Sequence, residues 1–433
     1  MPVAPSQSLV LTFEDARHAV EEQAAKLHPG GKESVGLLSA AGRVLAEAIP
    51  ADRDIPPFPR STRDGYAVRA ADLGQLPAKL RVVGEIKAGA HSNETPVKVD
   101  RGQSVSIMTG APVPAGADAV VMVEYTTQQG EFVEIRRGAA PGENVVAQGA
   151  EAKHGSLLLD RGTRLNEAAI ALAASVGRSS LEVFVRPSVA VLTTGDEIVD
   201  VDSTPGPTQI RNSNSYSLAA QIQQAGGEAV VLPVAPDEPR QLRERIEQGL
   251  QSDMLLMTGG VSMGRYDLVE QVLSEMRAEF FFTGAKIQPG RPVVFGQVPC
   301  GAVAPFDKRG AGFAREGASA ATKYFFGLPG NPISTMVTFE LFARPIVEAL
   351  CGMSPRKIVF LHARLKAAIQ VKPGLKRFLP AILGGEFENS QVELISWQGS
   401  GDIAATARAN CYVVIPTDRE SISAGEWVAV MMR

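Results

Sequence analysis

Cysteine is scarce in this 433-residue chain: Cys300, Cys351 and Cys411 are widely spaced and form no C-x-x-C pair. His18, His28, His91, His154 and His362 are equally dispersed, so the sequence offers no zinc framework and its thiols read as reduced. No run of 18 apolar residues survives the scattered Gly, Pro and charges, which excludes a membrane-spanning helix. Neither sign of charge predominates, with 43 Lys and Arg against 47 Asp and Glu. A net charge of −4 gives no footprint for general nucleic-acid binding, so any anion must be held locally. Residues 1–16 carry acids early and no long apolar core; no secretory signal is expected, and the cytoplasm is the expected location.

What is present is an ordinary globular composition, 45% hydrophobic and 21% charged, in a chain too long for one core. Two to four domains are expected at roughly 100–200 residues each. Thr12 and Asp15 have a capping-box-like spacing, and Phe13, Ala16, Val20 and Ala24 recur at helical intervals, so residues 12–27 read as an amphipathic helix. Between 52 and 150, short apolar runs broken by Pro and Gly indicate a β-rich insert. A second helix is expected over 166–177, between Asn166 and Gly177, and could pack on the first as a discontinuous domain of residues 1–51 plus 151–187.

From 188 to 350 strands alternate with helices: strands near 189–193, 229–233, 254–257 and 292–296, helices near 214–225, 239–250, 267–277 and 332–350. That order implies a doubly wound parallel sheet covered on both faces. Asp237 before Glu238-Pro239 and Asn331 before Pro332 set capping side chains beside prolines suited to a first helical turn. Residues 300–323, rich in Gly and Ala, interrupt two strand-like runs and read as a mobile insertion. Short alternating runs from 355 to 433, including 392–395 and 411–415, predict a small β domain.

Three glycine-rich loops fall where strands of the α/β region hand over to helices: Thr194-Gly195-Asp196-Glu197, Thr258 to Gly264, and Leu328-Pro329-Gly330-Asn331-Pro332. Helix starts expose unpaired N–H groups and partial positive charge, and glycine lets a polyanion approach the main chain. Each glycine taken alone is as well explained by a turn. As a set on successive βα loops they indicate a site for a phosphorylated ligand, with Glu197 and Asp267 suited to a metal or a hydroxyl group.

These loops, with Ser61 to Val68, Ile107 to Pro112, Asp267, Pro289 to Pro292, Gly327 to Ser334 and Gln398-Gly399-Ser400, resemble the molybdopterin molybdenumtransferases, the molybdenum insertases to which the C-terminal domain of gephyrin belongs. The likeness runs over nearly the whole length. It implies an elongated homodimer of four-domain subunits whose α/β domain is like the molybdopterin adenylyltransferases, the upstream partner of the pathway. It also implies Mg²⁺-dependent cleavage of adenylylated molybdopterin with molybdate, releasing molybdenum cofactor and AMP, in a cleft between the α/β domain of one subunit and the β domains of the other.

The resemblance assigns Asp267 and Asp237 to the metal and to catalysis, beside Glu197 and Asp64. Thr109, Glu151, Thr194, Gly195, Gly259, Gly260, Ser262, Arg291, Gly330, Asn331, Pro332, Ser334 and Ser400 become substrate contacts. Each acid keeps a plainer reading: Asp267 and Asp237 as helix caps, Glu197 as a surface glutamate, Asp64 in an Asp-Gly hairpin turn. The chain departs from the family at Gln288-Pro289-Gly290-Arg291-Pro292, where Lys-Pro-Gly-Lys-Pro is frequent, and at Pro380, where an arginine is frequent. Ala150-Glu151 replaces Glu-Asp. Lys286, Lys376 and Arg377 are candidates to restore the lost cations or are solvated strand-end charges. A binding or scaffold protein that keeps the pterin cradle without turnover is therefore the alternative.

Overall fold

The computed structural model describes residues 9–89, 97–260, 268–299, 322–354 and 357–433. Helix α1 (Phe13–Ala24) starts at Thr12, whose Oγ1 accepts from Asp15 N at 3.1 Å and donates to Asp15 Oδ2 at 2.7 Å. Helix α2 (Glu167–Ser175) is capped by Asn166 Oδ1, which accepts from Ala169 N at 2.9 Å. Strand 32–36 pairs with 180–184, and 49–50 with 157–159, joining the segments on either side of the insert. The two helices do not pack on each other as expected. Ala169 and Ala173 of α2 bury with Leu45, Ile49, Leu181 and Val183, whereas α1 belongs to another core.

The insert is a six-stranded sheet in the order 119–122, 65–68, 103–107, 78–86, 132–135, 126–129. Asp64-Gly65 is not a hairpin turn. Gly65 opens a strand paired on both sides, and a Cβ there would lie 1.9 Å from Val121 O, so close backbone approach accounts for the glycine.

The central sheet contains β1 (Ser188–Thr193), β2 (Glu228–Val231), β3 (Met254–Thr258), β4 (Glu279–Phe282), β5 (Val294–Pro299) and β6 (Thr322–Leu328), in the order β2-β1-β3-β6-β5-β4. Helices α3 (Asn214–Ala225), α4 (Pro239–Gly249) and α5 (Leu268–Glu275) alternate with these strands. Side chains of one strand divide between two cores: Val189 and Val191 face α3, while Ala190 and Leu192 face α4 and α5. The expected all-parallel sheet is corrected at one edge, because β5 runs antiparallel to β6 and β4 to β5. Thr322 and Lys323, placed in an insertion by composition, begin β6; residues 300–321 lie outside the described residues.

The expected helix 332–350 divides into α6 (Pro332–Thr338), a π-helical turn at Phe339–Ala343, and α7 (Arg344–Leu350). Pro345 has no N–H to give to the carbonyl of Leu341, four residues back, so the regular ladder breaks there. Arg17 Nη1 takes that carbonyl at 2.5 Å, which ties α1 to the central domain. Phe13 of α1 lies between Phe342 and Phe378, at centroid distances of 6.2 and 5.5 Å.

The C-terminal strands close into a barrel in the order 376–384, 391–394, 361–365, 427–432, 411–415 and back to 376–384. Helix α8 (Ile403–Arg408), which sequence reasoning missed, is capped by Asp402. Strand 287–288 of the central region pairs with Lys376–Arg377 of the barrel and brings the two together. No helix among the described residues is long and apolar enough to cross a membrane.

Candidate functional site

Strands β1, β3 and β6 are neighbours and parallel, so the loops that leave them emerge at one sheet edge. Thr194 N donates to Thr258 O at 3.0 Å, which joins the first loop to the second. Gly259 has φ +89°, and a Cβ there would lie 2.3 Å from Thr194 O. A Cβ on Gly330 would stand 3.5 Å from the Gly259 Cα, so the third loop packs on the second. Thr194, Gly195, Gly259, Gly260, Gly330 and Asn331 therefore converge. The Thr194 hydroxyl is buried in this cluster without a hydrogen-bond partner among the described residues. Ser262 and Asp267, assigned to the same place by the resemblance, lie outside the described residues.

The acids group beside the first loop. Asp237 N donates to Asp196 Oδ1 at 3.1 Å, and a Cβ on Gly195 would lie 2.6 Å from Glu197 Oε2. Asp237 is not the cap of α4: Glu238 is, accepting from Arg240 N at 3.0 Å and Gln241 N at 2.9 Å. Although Asp237 is exposed as a residue, desolvation of its carboxyl first, and the negative charges of Asp196 and Glu197 second, push its pKa up. No group of three His, Cys, Asp or Glu among the described residues is arranged to hold a metal ion.

Asn331 is likewise no side-chain cap for α6. Its Nδ2 donates to Ser400 Oγ at 2.8 Å, and Ser400 O accepts from Ile333 N at 3.0 Å, so the barrel's Gln-Gly-Ser turn supplies the cap. Pro332 opens α6, and Ser334 is buried one turn in. Gly290, at φ +106°, packs where a Cβ would meet Thr338 Cγ2 at 2.4 Å, which seats the Gln288–Pro292 bend on α6 and leaves Arg291 exposed.

Two of the three candidate replacement cations are engaged elsewhere. Lys376 pairs with Glu14 and sits 4.6 Å from the Phe13 ring centroid. Arg377 Nη2 donates to Lys372 O at 2.6 Å. Lys286 is exposed.

Asp64 and Thr109 form a second corner, on the insert. Asp64 Oδ1 accepts from Thr109 N at 2.7 Å and Thr109 Oγ1 at 2.8 Å; the main-chain bond first and the hydroxyl second lower the Asp64 pKa. Nearby, Glu151 pairs with Arg60 at 2.8 Å. The two cores of the insert contain no residue of the central domain, and among the described residues no hydrogen bond or ion pair joins Asp64, Thr109 or Glu151 to the loop cluster.

Sequence reasoning missed Asn214 and Thr335 as parts of the site and gave Thr258, the first residue of the second loop, no role of its own. Asn214 Nδ2 donates to Thr258 Oγ1 at 3.0 Å and to Gly330 O at 2.7 Å, linking α3 to the second and third loops. The available signal was a polar residue at a helix start and a threonine ending a strand beside glycine.

The MoeA N-terminal region, domains I and II, matches residues 11–177; the probable molybdopterin binding domain matches 190–349; and the MoeA C-terminal region, domain IV, matches 362–432. The chain is 32% identical to the molybdopterin molybdenumtransferase of Nostoc sp. over 419 residues, covering 92% of this chain and 88% of the relative. It is 31% identical to the Bacillus subtilis protein of that name over 413 residues, covering 93% and 90%. Two solved structures of molybdopterin biosynthesis MoeA protein from Pyrococcus horikoshii are similar over 98% of the chain. One is 32% identical, covered to 99%, with TM-score 0.68; the other is 26% identical, covered to 100%, with TM-score 0.74. The order of the three matched regions and identity along almost the full length place this chain in the molybdopterin molybdenumtransferase family.

Proposed function

We infer that this protein transfers molybdenum from molybdate to adenylylated molybdopterin, releasing AMP in the cytoplasm as a step of molybdenum cofactor biosynthesis. The observation that carries the reading is the convergence of the three loops at one sheet edge, with Ser400 of the barrel bonded to the third. Main-chain N–H groups on glycine-rich loops suit a phosphoanhydride, and a water-poor crevice strengthens each such donor. Arg291, Ser400 and the exposed Lys286 are the groups left to receive the oxyanion. A molybdopterin adenylyltransferase would supply the substrate.

The described residues form no three-ligand metal site by themselves, and it is the donor chemistry of the acids beside the first loop, together with the substrate's phosphates, that suits Mg²⁺. Asp196, Glu197 and Asp237 offer only carboxylate oxygens, the ligand type this hard cation takes, and their mutual repulsion at Asp237 is relieved by positive charge. Asp237 and Asp267 would hold it, with Glu197 nearby; when bound, it supplies neutralisation of phosphate charge. The chain's own part is placement: Thr194, Gly259, Gly260 and Gly330 bind, Asp237 orients, and no covalent nucleophile is required. Asp64, Thr109 and Glu151 join the site from the second subunit of a homodimer, which accounts for two polar corners lying apart in one chain.

Purified protein incubated with adenylylated molybdopterin, Mg²⁺ and molybdate should release AMP only when molybdate is present. Asp267→Asn should abolish most of that release. Equal release without molybdate would overturn the reading. Engagement of Lys376 and Arg377 outside the site favours the binding-only alternative, for which tight binding of the pterin without AMP release is the distinguishing result.

A further inference from the structure

The carbonyls of the third loop are turned into the protein. Pro329 O accepts from Thr335 Oγ1 at 2.5 Å and from Thr258 Oγ1 at 3.2 Å, Gly330 O from Asn214 Nδ2 at 2.7 Å, and Asn331 O from Thr335 N at 3.0 Å, with the one hydroxyl hydrogen of Thr335 shared at most weakly with it at 3.1 Å. Thr258 and Thr335 are 0% exposed and Asn214 is 8% exposed, so these groups act on the main chain from beneath.

In a trans peptide the carbonyl and the following N–H point in opposite directions. Drawing the Pro329 and Gly330 carbonyls inward therefore turns the N–H groups of Gly330 and Asn331 outward, where both residues are exposed. Neither N–H gives a hydrogen bond to a main-chain acceptor among the described residues. Pro332 has no N–H, and that of Ile333 is already given to Ser400 O. Glycine at 330 would otherwise tolerate either peptide orientation, and a flip would aim carbonyl oxygens at an approaching anion.

We propose that Asn214, Thr258 and Thr335 are positioning residues that preset the Gly330 and Asn331 N–H groups as a donor pair for a phosphate oxygen of the substrate. The assignment rests on the transferase reading for the identity of that substrate. The geometry itself concerns any phosphoanhydride.

The test uses the full chain with ¹⁵N-labelled glycine and asparagine, titrated with inorganic pyrophosphate. Amide signals of Gly330 and Asn331 should shift and saturate in the wild type. Thr335→Val keeps the side-chain volume but cannot donate, and should weaken the apparent affinity read from those signals about tenfold, with Thr335→Ser restoring it to within about threefold. Thr258→Val serves in the same way should Thr335→Val fail to fold. Signals that stay still at saturating pyrophosphate, or that move equally in the valine variants, overturn the proposal. Moving signals without molybdate-dependent AMP release overturn the transferase reading and leave the donor pair standing; AMP release with unmoved signals overturns the donor pair alone.

Discussion

Asn331 Nδ2 donates to Ser400 Oγ at 2.8 Å across 69 positions of sequence, joining the third glycine loop to the C-terminal barrel. Asparagine before proline would ordinarily cap its own helix; here the serine's carbonyl takes Ile333 N and the asparagine side chain reaches outward. The bond places a barrel hydroxyl at the rim of the loop cluster.

If the link matters to substrate binding, Asn331→Ala and Ser400→Ala should not be additive. Measured as apparent affinity for adenylylated molybdopterin, the double-mutant cycle should show a coupling of about 1 kcal/mol. Additive losses would reduce the contact to a coincidence of packing.

A site shared between subunits predicts complementation. Asp64→Asn and Asp237→Asn chains are each expected to be inactive. Unfolded together and refolded, they should recover roughly a quarter of wild-type AMP release, since half the dimers are mixed and each mixed dimer has one intact composite site. Activity no greater than that of the separate variants would place both acids in one subunit's site or leave one outside the chemistry.

The Asp237 carboxyl titrates above its ordinary value because of desolvation and then of Asp196 and Glu197. A folded-state pKa above the unfolded one favours folding while the group is protonated, and that contribution is lost as pH rises through the folded value. Without divalent cation, Asp237→Asn should therefore melt about 1–2 °C above wild type near pH 7, a small gain because water screens the loop. The difference should close as pH falls below the ordinary value of 3.8. A melting difference independent of pH would exclude this electrostatic cause.

Gly259 combines φ +89° with a would-be Cβ 2.3 Å from Thr194 O. Alanine there meets both the left-handed strain and a main-chain clash that no rotamer relieves, at a cost of about 2 kcal/mol or more. Chemical denaturation and AMP release should both fall in Gly259→Ala. Alanine at Gly399, φ +106° with nothing within 4 Å, should cost only the strain. Equal stability of Gly259→Ala and wild type would show that the first two loops are not packed as described.

Local chemistry made much of this legible in advance. Thr12 with Asp15, and Asn166 before its alanine-rich turns, announced helix starts because a cap needs only neighbours in sequence. Cys411–Ile415 fell on a single strand for the same reason of short period. Where partners were distant, the reading went astray: α1 found α7 instead of α2, β5 turned antiparallel, and Glu238 displaced Asp237 as a cap. Asn214 signalled only a polar residue at a helix start, because its importance lies in two acceptors 44 and 116 positions away.

By itself the sequence determined where most strands and helices of the α/β region fall, where glycine must stand, and to which family the motifs belong, since backbone preference and motif order are written along the chain. Tertiary structure alone decided which loops meet, which polar groups are taken by others, and which way the peptides of the third loop face. The physical reason is that a hydrogen bond's worth depends on the acceptor that folding brings within about 3 Å, and nothing in a linear order of residues fixes that distance.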